Sequence, residues 1–384
     1  MKALREKIEQ EIRECGPISF ARYMEMCLYD PDLGYYSRNA AQFGKAGDFF
    51  TSSDVHAVFG RLLARQFDEM WRMLGSPDQI AIRELGPGRG LFARDVLDWS
   101  EKKFPEFFRV VRYELVEQSP ALRQRIEDVL NPHLESGRAS LRQEESQLPP
   151  GPGQSGESAS QKIPTIVFAN EFFDAIPVEI VSNVGSLRID ACDGHFVETW
   201  APSSAEEFEY LDRYSIHPEE GERVEVPLRS QKEMKAASTF EQGFIVAIDY
   251  GYTREELLAG RHRGTVKAIR QHSVSASPYE APGEQDITAD VNFTALAAAG
   301  EQQGFQARKL VTQSQFLLGI GEANQFADAF EDCRLPQERA KVALQLKHLV
   351  TPAGMGESFH VLVASKGIAA GLVEKLSGLS FGRR

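Results

Sequence analysis

From residue 79 onward, short apolar runs alternate with segments of helical periodicity. This alternation is typical of a parallel sheet built from β–α–β units, in which each strand is followed by a helix. We therefore predict an α/β fold with a Rossmann-like sheet of seven strands. The predicted strands lie at residues 80–85, 110–116, 139–142, 165–169, 244–249, 306–312 and 359–364.

The part of the chain before this pattern has the periodicity of amphipathic helices. Ile8 and Ile12 share one helical face, and residues 58–73 form another amphipathic run. Ser19 precedes a further helical run and is a suitable N-cap residue. The sequence thus predicts a helical N-terminal cap over residues 1–78 and a Rossmann-like domain over residues 79–384.

Three segments interrupt the predicted α/β domain. Residues 175–242 contain strand-like alternation, and residues 251–292 are polar with few regular patterns, so both are predicted to be inserted α+β elements. Long ordered loops are uncommon unless they serve a site. Residues 145–162 are rich in Pro, Gly and Ser and lack core-forming side chains, which predicts a flexible surface loop.

The charge balance excludes several classes of partner. The chain has 43 basic and 56 acidic residues and a net charge of −13, which repels phosphate backbones and anionic lipid headgroups. No stretch approaches the roughly 18 apolar residues that a membrane span needs. We therefore expect neither a nucleic acid partner nor a membrane.

The four cysteines are far apart and form no C-x-x-C pair, so neither a zinc site nor a disulfide framework is predicted. The histidines show no metal-ligand spacing either, and we predict no metal. The first residues mix acids and bases at helical spacing, unlike a targeting peptide. Together these features predict a reducing, cytoplasmic location.

A glycine-rich turn follows the first predicted strand. Residues 84–90 read Glu-Leu-Gly-Pro-Gly-Arg-Gly and open a helix near Leu91, where unpaired N–H groups can face a ligand. The dinucleotide pattern G-x-G-x-x-G/A fails at Leu91, which argues against a dehydrogenase. The turn instead resembles the glycine loop of class I S-adenosylmethionine methyltransferases, and a tight turn without a ligand is the alternative. The cofactor-binding candidates here are Glu84, Gly86, Gly88 and Gly90.

Glu117 ends the second predicted strand, where a carboxylate can accept both ribose hydroxyls of an adenosine. An ordinary exposed glutamate at a strand end is the alternative. Glu114 is a weaker candidate, because its place inside the strand points its side chain elsewhere.

Polar residues also follow the fourth predicted strand, at the edge where ligands of open α/β sheets bind. Asn170 is a candidate for the cofactor, and Glu171 and Asp174 are candidates for catalysis. If the methyl acceptor were a guanidinium, these carboxylates could orient it and localise its charge. Alternatively, Asn170 and Asp174 cap a turn or helix. Asp249 and Tyr250 end the fifth strand at the same edge.

Three further residues lie in loops of the N-terminal region. Tyr36, Asp48 and Thr51 could close over a cofactor, or they could cap loops and pack in the core.

Five separated segments resemble the MidA family, which includes the mitochondrial complex I assembly-factor methyltransferases. Further short matches bring the resemblance to nearly the whole chain. The five segments are residues 18–24 with 29–31 and 34–36, residues 47–52, residues 84–90, residues 169–177 and residues 282–293.

The resemblance implies a class I methyltransferase sheet with S-adenosyl-L-methionine as cofactor. As in the mitochondrial members, it implies a protein arginine as the methyl acceptor, with a respiratory-complex subunit as the candidate protein substrate. A non-catalytic assembly factor that binds the cofactor or a partner protein is the alternative. The chain departs from many relatives at Asp290 and Asn292 and at residues 53–55, and if these positions touch the acceptor, the substrate differs.

Overall fold

The structure is a computed structural model that describes residues 2–38, 57–143, 163–260, 263–270, 273–275 and 277–382. The predicted flexible loop at 145–162 lies outside these residues, as do Asp48, Thr51 and residues 53–55.

The strands are numbered in chain order. They are β1 (Ile18–Ser19), β2 (Ile80–Leu85), β3 (Val111–Val116), β4 (Ala139–Arg142), β5 (Thr165–Asn170), β6 (Glu179–Ser182), β7 (Gly185–Cys192), β8 (His195–Ala201), β9 (Val224–Val226), β10 (Gly243–Tyr252), β11 (Lys267–Arg270), β12 (Ser273–Val274), β13 (Asp286–Thr288), β14 (Val291–Asn292), β15 (Gln306–Ala307), β16 (Val311–Thr312) and β17 (Phe359–Lys366).

The helices are numbered in the same way. They are α1 (Lys2–Cys15), α2 (Phe20–Tyr29), α3 (Tyr35–Arg38), α4 (Ala57–Met73), α5 (Leu91–Lys103), α6 (Pro105–Val110), α7 (Pro120–Glu135), α8 (Ala205–Tyr214), α9 (Leu228–Ala237), α10 (Arg254–Leu258), α11 (Phe293–Glu301), α12 (Gln313–Glu322), α13 (Ala327–Phe330), α14 (Pro336–Val350) and α15 (Ala370–Val373), followed by a 3₁₀ turn at Ser377–Leu379.

The main sheet has the strand order β15–β17–β10–β5–β2–β3–β4, with β14 added beside β10 and β16 beside β17. Within this sheet β10, β5, β2, β3 and β4 pair in parallel, and β17 runs antiparallel to β10. This sheet confirms the predicted α/β class. The sixth predicted strand forms as two short pieces, β15 and β16, which both pair with β17.

Both faces of the main sheet are covered at its centre, so the central strand β5 is buried along almost its whole length. Side chains alternate between the faces along β5: Ile166 and Phe168 pack in one core cluster, and Val167 and Ala169 pack in the other. The stacked rings of Phe92 and Phe168, 4.4 Å apart, join α5 to the sheet.

Helix α4 packs within the first of these clusters, although it precedes residue 79. Its Phe67 ring meets the Phe168 ring of β5 edge to face at 5.7 Å. The boundary between cap and domain at residue 78 stays a prediction. Helix α4 lies before this boundary in the sequence but packs against the main sheet that follows it.

The N-terminal helices α1 and α2 pack against the two insertions. Ser19 accepts a hydrogen bond from the amide of Arg22 and so caps α2, as its position predicts. The first insertion supplies β6, β7, β8 and β9, which form a sheet with β1, and the second supplies a three-stranded sheet of β11, β12 and β13. Ile18 of β1 pairs with Ile189 of β7, which joins the N-terminal region directly to the first insertion.

Among the described residues, no helix has the length and apolar content to cross a membrane. The same residues contain no group of three His, Cys, Asp or Glu side chains that could hold a metal ion. The four cysteines are free thiols.

Candidate functional site

A cavity of about 490 Å³ lies at the carboxyl ends of β2, β3 and β5. The strand order reverses between β2 and β5, which is where ligands bind in open α/β sheets. Helices α2, α3, α5, α7 and α9 and strand β13 supply further walls. Seven of the eight predicted site residues line this cavity: Glu84, Gly86, Gly88, Glu117, Asn170, Glu171 and Asp174.

The eighth residue, Gly90, closes the glycine turn from outside the cavity. It has φ 74° and immediately precedes α5. A Cβ atom there would lie 3.3 Å from side-chain atoms of Ile126 and Leu130, so glycine allows α7 to pack closely. Its contribution to a ligand site is therefore the shape of the turn.

The other two glycines of the turn face different surroundings. Gly86 has φ 61°, and a Cβ atom there would lie 2.8 Å from the Phe172 ring. Gly88 has φ 55°, and a Cβ atom there would have nothing within 4 Å. The backbone at Gly88 is thus open toward the cavity, where a ligand can approach it closely.

Glu117 is a buried carboxyl in the cavity wall, with 8% of its surface exposed. Its Oε1 atom accepts a hydrogen bond of 2.8 Å from the amide of Ser119. Burial raises the pKa of Glu117 to about 7, although backbone amides at Ser119 and Gln118 oppose the shift. The weaker candidate, Glu114, is held instead by Arg83 and Arg142, at 3.1 Å from each.

Glu84 lies in the cavity wall at the end of β2 and is also buried. Its Oε2 atom accepts a hydrogen bond of 2.9 Å from the hydroxyl of Tyr113. Burial raises the pKa of Glu84 to about 8. The two strand-end carboxyls therefore hold protons more tightly than exposed glutamates do.

The segment after β5 turns sharply into the cavity. Glu171 has φ 50°, which is uncommon outside glycine, and its amide donates to the carbonyl of Ile248 at 2.9 Å. Asn170 Nδ2 donates to Glu171 Oε1 at 3.1 Å. Asn170 Oδ1 is buried and has no hydrogen-bond partner within the described part of the chain. A strained residue of this kind is typical of functional sites.

Asp174 is 5% exposed and lines the cavity. Burial raises the pKa of Asp174 to about 6, and a hydrogen bond donated by the Tyr250 hydroxyl partly offsets the shift. Asp249 does not line the cavity, and its Oδ2 atom instead accepts the amides of Phe173 at 3.0 Å and Asp174 at 3.2 Å. Asp249 thus holds the turn in place.

The cavity contains acidic side chains that the sequence did not single out. Glu25 of α2, Glu233 of α9 and Asp286 of β13 all line it. Among the described residues, seven carboxyl side chains and two guanidinium groups line the cavity. One of the two, Arg229, is bound to Glu25 at 2.6 Å. The electrostatic environment therefore favours a cation.

Two tyrosines close the side of the cavity formed by α2 and α3. Tyr29 donates to the carbonyl of Ala175 at 2.9 Å, and Tyr36 donates to Asp286 Oδ1 at 3.0 Å. Their rings are 5.4 Å apart. Of these, the sequence singled out Tyr36 alone. Tyr29 and Asp286 lie inside segments that resemble the family, so the sequence could have indicated them as site residues. Arg229 and Glu233 lie on a helix without any motif, so no sequence pattern indicated them.

The two departures at residues 290 and 292 lie away from the cavity. Asn292 caps α11 by accepting the amide of Ala295 at 3.1 Å, and it donates to the carbonyl of Tyr214 at 2.9 Å. Asp290 pairs with Lys267 at 3.2 Å. Neither residue lines the cavity, so these departures do not alter its walls.

The parallel sheet, the glycine turn and the buried carboxyl at the end of the next strand define a class I methyltransferase. Residues 62–311 match a family described as putative S-adenosyl-L-methionine-dependent methyltransferases, and the chain belongs to this family. The predicted family is thereby confirmed, and the cofactor is S-adenosyl-L-methionine.

Curated relatives match the chain over most of its length. A Drosophila melanogaster protein named protein arginine methyltransferase NDUFAF7 homolog, mitochondrial, is 29% identical, covering 99% of this chain and 88% of its own. Its Danio rerio counterpart, named protein arginine methyltransferase NDUFAF7, mitochondrial, is 30% identical over 93% of this chain and 86% of its own. A Burkholderia thailandensis crystal structure bound to S-adenosyl-homocysteine has a TM-score of 0.80 and 28% identity, covering 96% of this chain and 93% of its own.

The prediction of a cytoplasmic location is wrong on this comparison, because the curated relatives are named as mitochondrial proteins. Dispersed cysteines indicate reduced thiols, but they do not distinguish one reducing compartment from another.

The described residues fit S-adenosyl-L-methionine. The cavity has the volume of a small-molecule site. Glu117 supplies a buried carboxyl that can accept hydrogen bonds from ligand hydroxyl groups, and the backbone at Gly88 is accessible to a ligand. The acidic walls also suit the positive charge of a sulfonium.

Proposed function

We propose that this protein transfers the methyl group of S-adenosyl-L-methionine to a guanidinium nitrogen of an arginine in a protein substrate. The observation that carries the proposal is the excess of carboxyl side chains that the described part of the chain places around the cavity, seven against two guanidinium groups. A guanidinium has five N–H donors and no acceptor, so carboxylates are its natural partners. The names of the curated relatives support the same substrate class.

Six residues are proposed to hold the cofactor. Glu117 accepts the ribose hydroxyls, and Gly86, Gly88 and Gly90 shape the turn so that the backbone approaches the ligand. Glu84 lies behind this turn as a buried hydrogen-bond acceptor. Asn170 offers its unpartnered Oδ1 atom to the ligand.

Glu171 and Asp174 are proposed to hold the acceptor. When bound, the cofactor supplies a methyl group attached to a positively charged sulfur. The carboxylates orient the guanidinium and localise its charge away from the reacting nitrogen. Asp174, with a pKa of about 6, is suited to take up the proton that this nitrogen releases. A respiratory-complex subunit as the substrate is supported only by the family resemblance.

The proposal is tested by identifying the methylated amino acid. The purified protein is incubated with methyl-labelled S-adenosyl-L-methionine and an extract of the source cell, and the labelled protein is hydrolysed to amino acids. Labelled methylarginine is the expected product. Label in methyl-lysine or in carboxyl methyl esters would refute arginine as the acceptor.

Matched variants connect the label to the cavity. Asp174→Asn and Glu171→Gln should each lower labelling by about a hundredfold, in the range of a lost charge-stabilising contact. Asp128→Asn, an exposed residue of α7, should label as the wild type does. A wild type that binds S-adenosyl-homocysteine but labels nothing would favour the non-catalytic assembly factor instead.

A further inference from the structure

Two consecutive residues near the end of β10, Asp249 and Tyr250, hold Asp174, the first by its backbone and the second by its side chain. The carboxylate of Asp249 accepts the amide of Asp174 at 3.2 Å. The hydroxyl of Tyr250 donates a hydrogen bond to Asp174 Oδ2. The position and the rotamer of Asp174 are therefore both fixed from one strand.

The second carboxyl oxygen of Asp174 has a different environment. Asp174 Oδ1 is buried and has no hydrogen-bond partner within the described residues. A buried carboxylate oxygen without a donor is costly, and such an atom in a native site calls for a partner that arrives later. Because Asp174 lines the cavity, a ligand N–H group can supply the missing donor.

We propose that Tyr250 is a positioning residue, which occupies Oδ2 of Asp174 so that Oδ1 faces the N–H group of the acceptor guanidinium. This inference rests on the proposed function for the identity of the acceptor. Tyr250 itself does not line the cavity, so it acts through Asp174.

The ring of Tyr250 is held by contacts that do not depend on its hydrogen bond to Asp174. The ring meets Phe359 of β17 edge to face, with 5.4 Å between centroids. The ammonium of Lys267 lies 5.7 Å from the ring centroid. Tyr250→Phe therefore removes the hydrogen bond and keeps the packing.

Several other titratable groups surround Asp174 and bear on its protonation. They include Asp249 on the same strand as Tyr250, together with Glu171, Tyr29, Tyr36, Asp286 and Asp290. The carboxyls among them favour the protonated form of Asp174, whereas the Tyr250 hydrogen bond favours the ionised form. Removal of that hydrogen bond leaves the opposing influences in place, so the pKa of Asp174 should rise.

The first measurement is the pH dependence of kcat/KM for arginine methylation in the wild type and Tyr250→Phe. We expect the acid limb to move to higher pH by about one unit, the size expected for a hydrogen bond to a charged group. At pH 7 kcat/KM should then fall about twofold and at pH 5 about tenfold, while the Kd for S-adenosyl-homocysteine stays unchanged. An acid limb that does not move would overturn the inference.

Tyr279→Phe is the matched control. Tyr279 donates to Glu198 at 2.9 Å, a tyrosine–carboxylate hydrogen bond of the same kind outside the cavity. This variant should leave the acid limb in place. If both variants moved it equally, the effect would be structural and the positioning role would be refuted.

A second measurement does not depend on methyl transfer. The titration of the Asp174 carboxyl carbon is followed by ¹³C NMR, with its signal assigned by its loss in Asp174→Asn. The midpoint should rise in Tyr250→Phe, and an unchanged midpoint would overturn the inference whatever the acceptor is. If the midpoint rises but no methylarginine forms, the positioning of Asp174 stands and the proposed acceptor fails.

Discussion

Tyr113 on β3 donates a 2.9 Å hydrogen bond to the buried carboxyl of Glu84 on the neighbouring strand β2. This bond partly offsets the effect of burial, which still raises the pKa of Glu84 from 4.5 to about 8. The folded protein therefore binds the Glu84 proton more tightly than the unfolded chain does. It follows that the contribution of Glu84 to stability falls as pH rises from about 4.5 to about 8.

Glu84→Gln should remove this contribution, because glutamine keeps a hydrogen-bond acceptor for Tyr113 and does not ionise. As pH rises over this interval, the free energy of unfolding of the variant should increase relative to that of the wild type, by at most about 1.4 kcal/mol per pH unit. Urea unfolding at several pH values between 5 and 9 measures the difference. Parallel curves for the two proteins would show that Glu84 does not titrate in this range.

The sequence was sufficient for the parts of the fold that depend on local pattern. The apolar runs of the main sheet were identified because both faces of each strand are covered, as at Ile166 and Val167. The glycine turn was identified because Gly86 and Gly88 adopt positive φ angles that few other residues tolerate.

The cavity wall formed by the two insertions could not be predicted in this way. Asp286 reaches the cavity on β13, which pairs with β11 of the same insertion, and Arg229 and Glu233 reach it from α9. Their positions result from tertiary packing of the insertions against α2, and polar residues on a surface helix carry no local signal of that packing. Asn292 shows the opposite case. It departs from the family pattern inside a segment that resembles the family, yet it lies outside the cavity and caps a helix.

Glu117→Ala should weaken binding of S-adenosyl-homocysteine. Loss of a charged hydrogen-bond acceptor costs about 1.5–3 kcal/mol, which corresponds to a roughly tenfold to hundredfold higher Kd. Calorimetric titration measures this, with NADH as a ligand that should not bind. Glu127→Ala, an exposed residue of α7, serves as the control. Equal affinity in wild type and Glu117→Ala would exclude Glu117 from the ribose site.

Binding of S-adenosyl-homocysteine should also depend on pH through Glu117. Burial raises the pKa of this carboxyl to about 7, and the ionised form accepts more hydroxyl hydrogen bonds than the protonated form. The Kd should therefore rise as pH falls below about 7. Glu117→Gln should abolish this dependence while Glu84→Gln preserves it, and calorimetry between pH 5.5 and 8.5 distinguishes the two. A pH slope that survives in Glu117→Gln would assign the dependence to another group.

Gly86→Ala should weaken cofactor binding, for two reasons that can be separated. The positive φ of 61° strains any residue with a Cβ atom, and that atom would also lie 2.8 Å from the Phe172 ring, which lines the cavity. Gly137 has φ 68° and open space around its Cα, so Gly137→Ala imposes the strain alone. Both variants should lose about 1 kcal/mol of stability in urea unfolding from strain.

Only Gly86→Ala should then lose affinity for S-adenosyl-homocysteine, by at least about tenfold in calorimetric titration, because the displaced Phe172 ring and turn change the cavity wall. If Gly137→Ala lost affinity to the same extent, the effect would arise from general destabilisation of the fold. If Gly86→Ala bound the ligand as the wild type does, the glycine turn would not be part of the cofactor site.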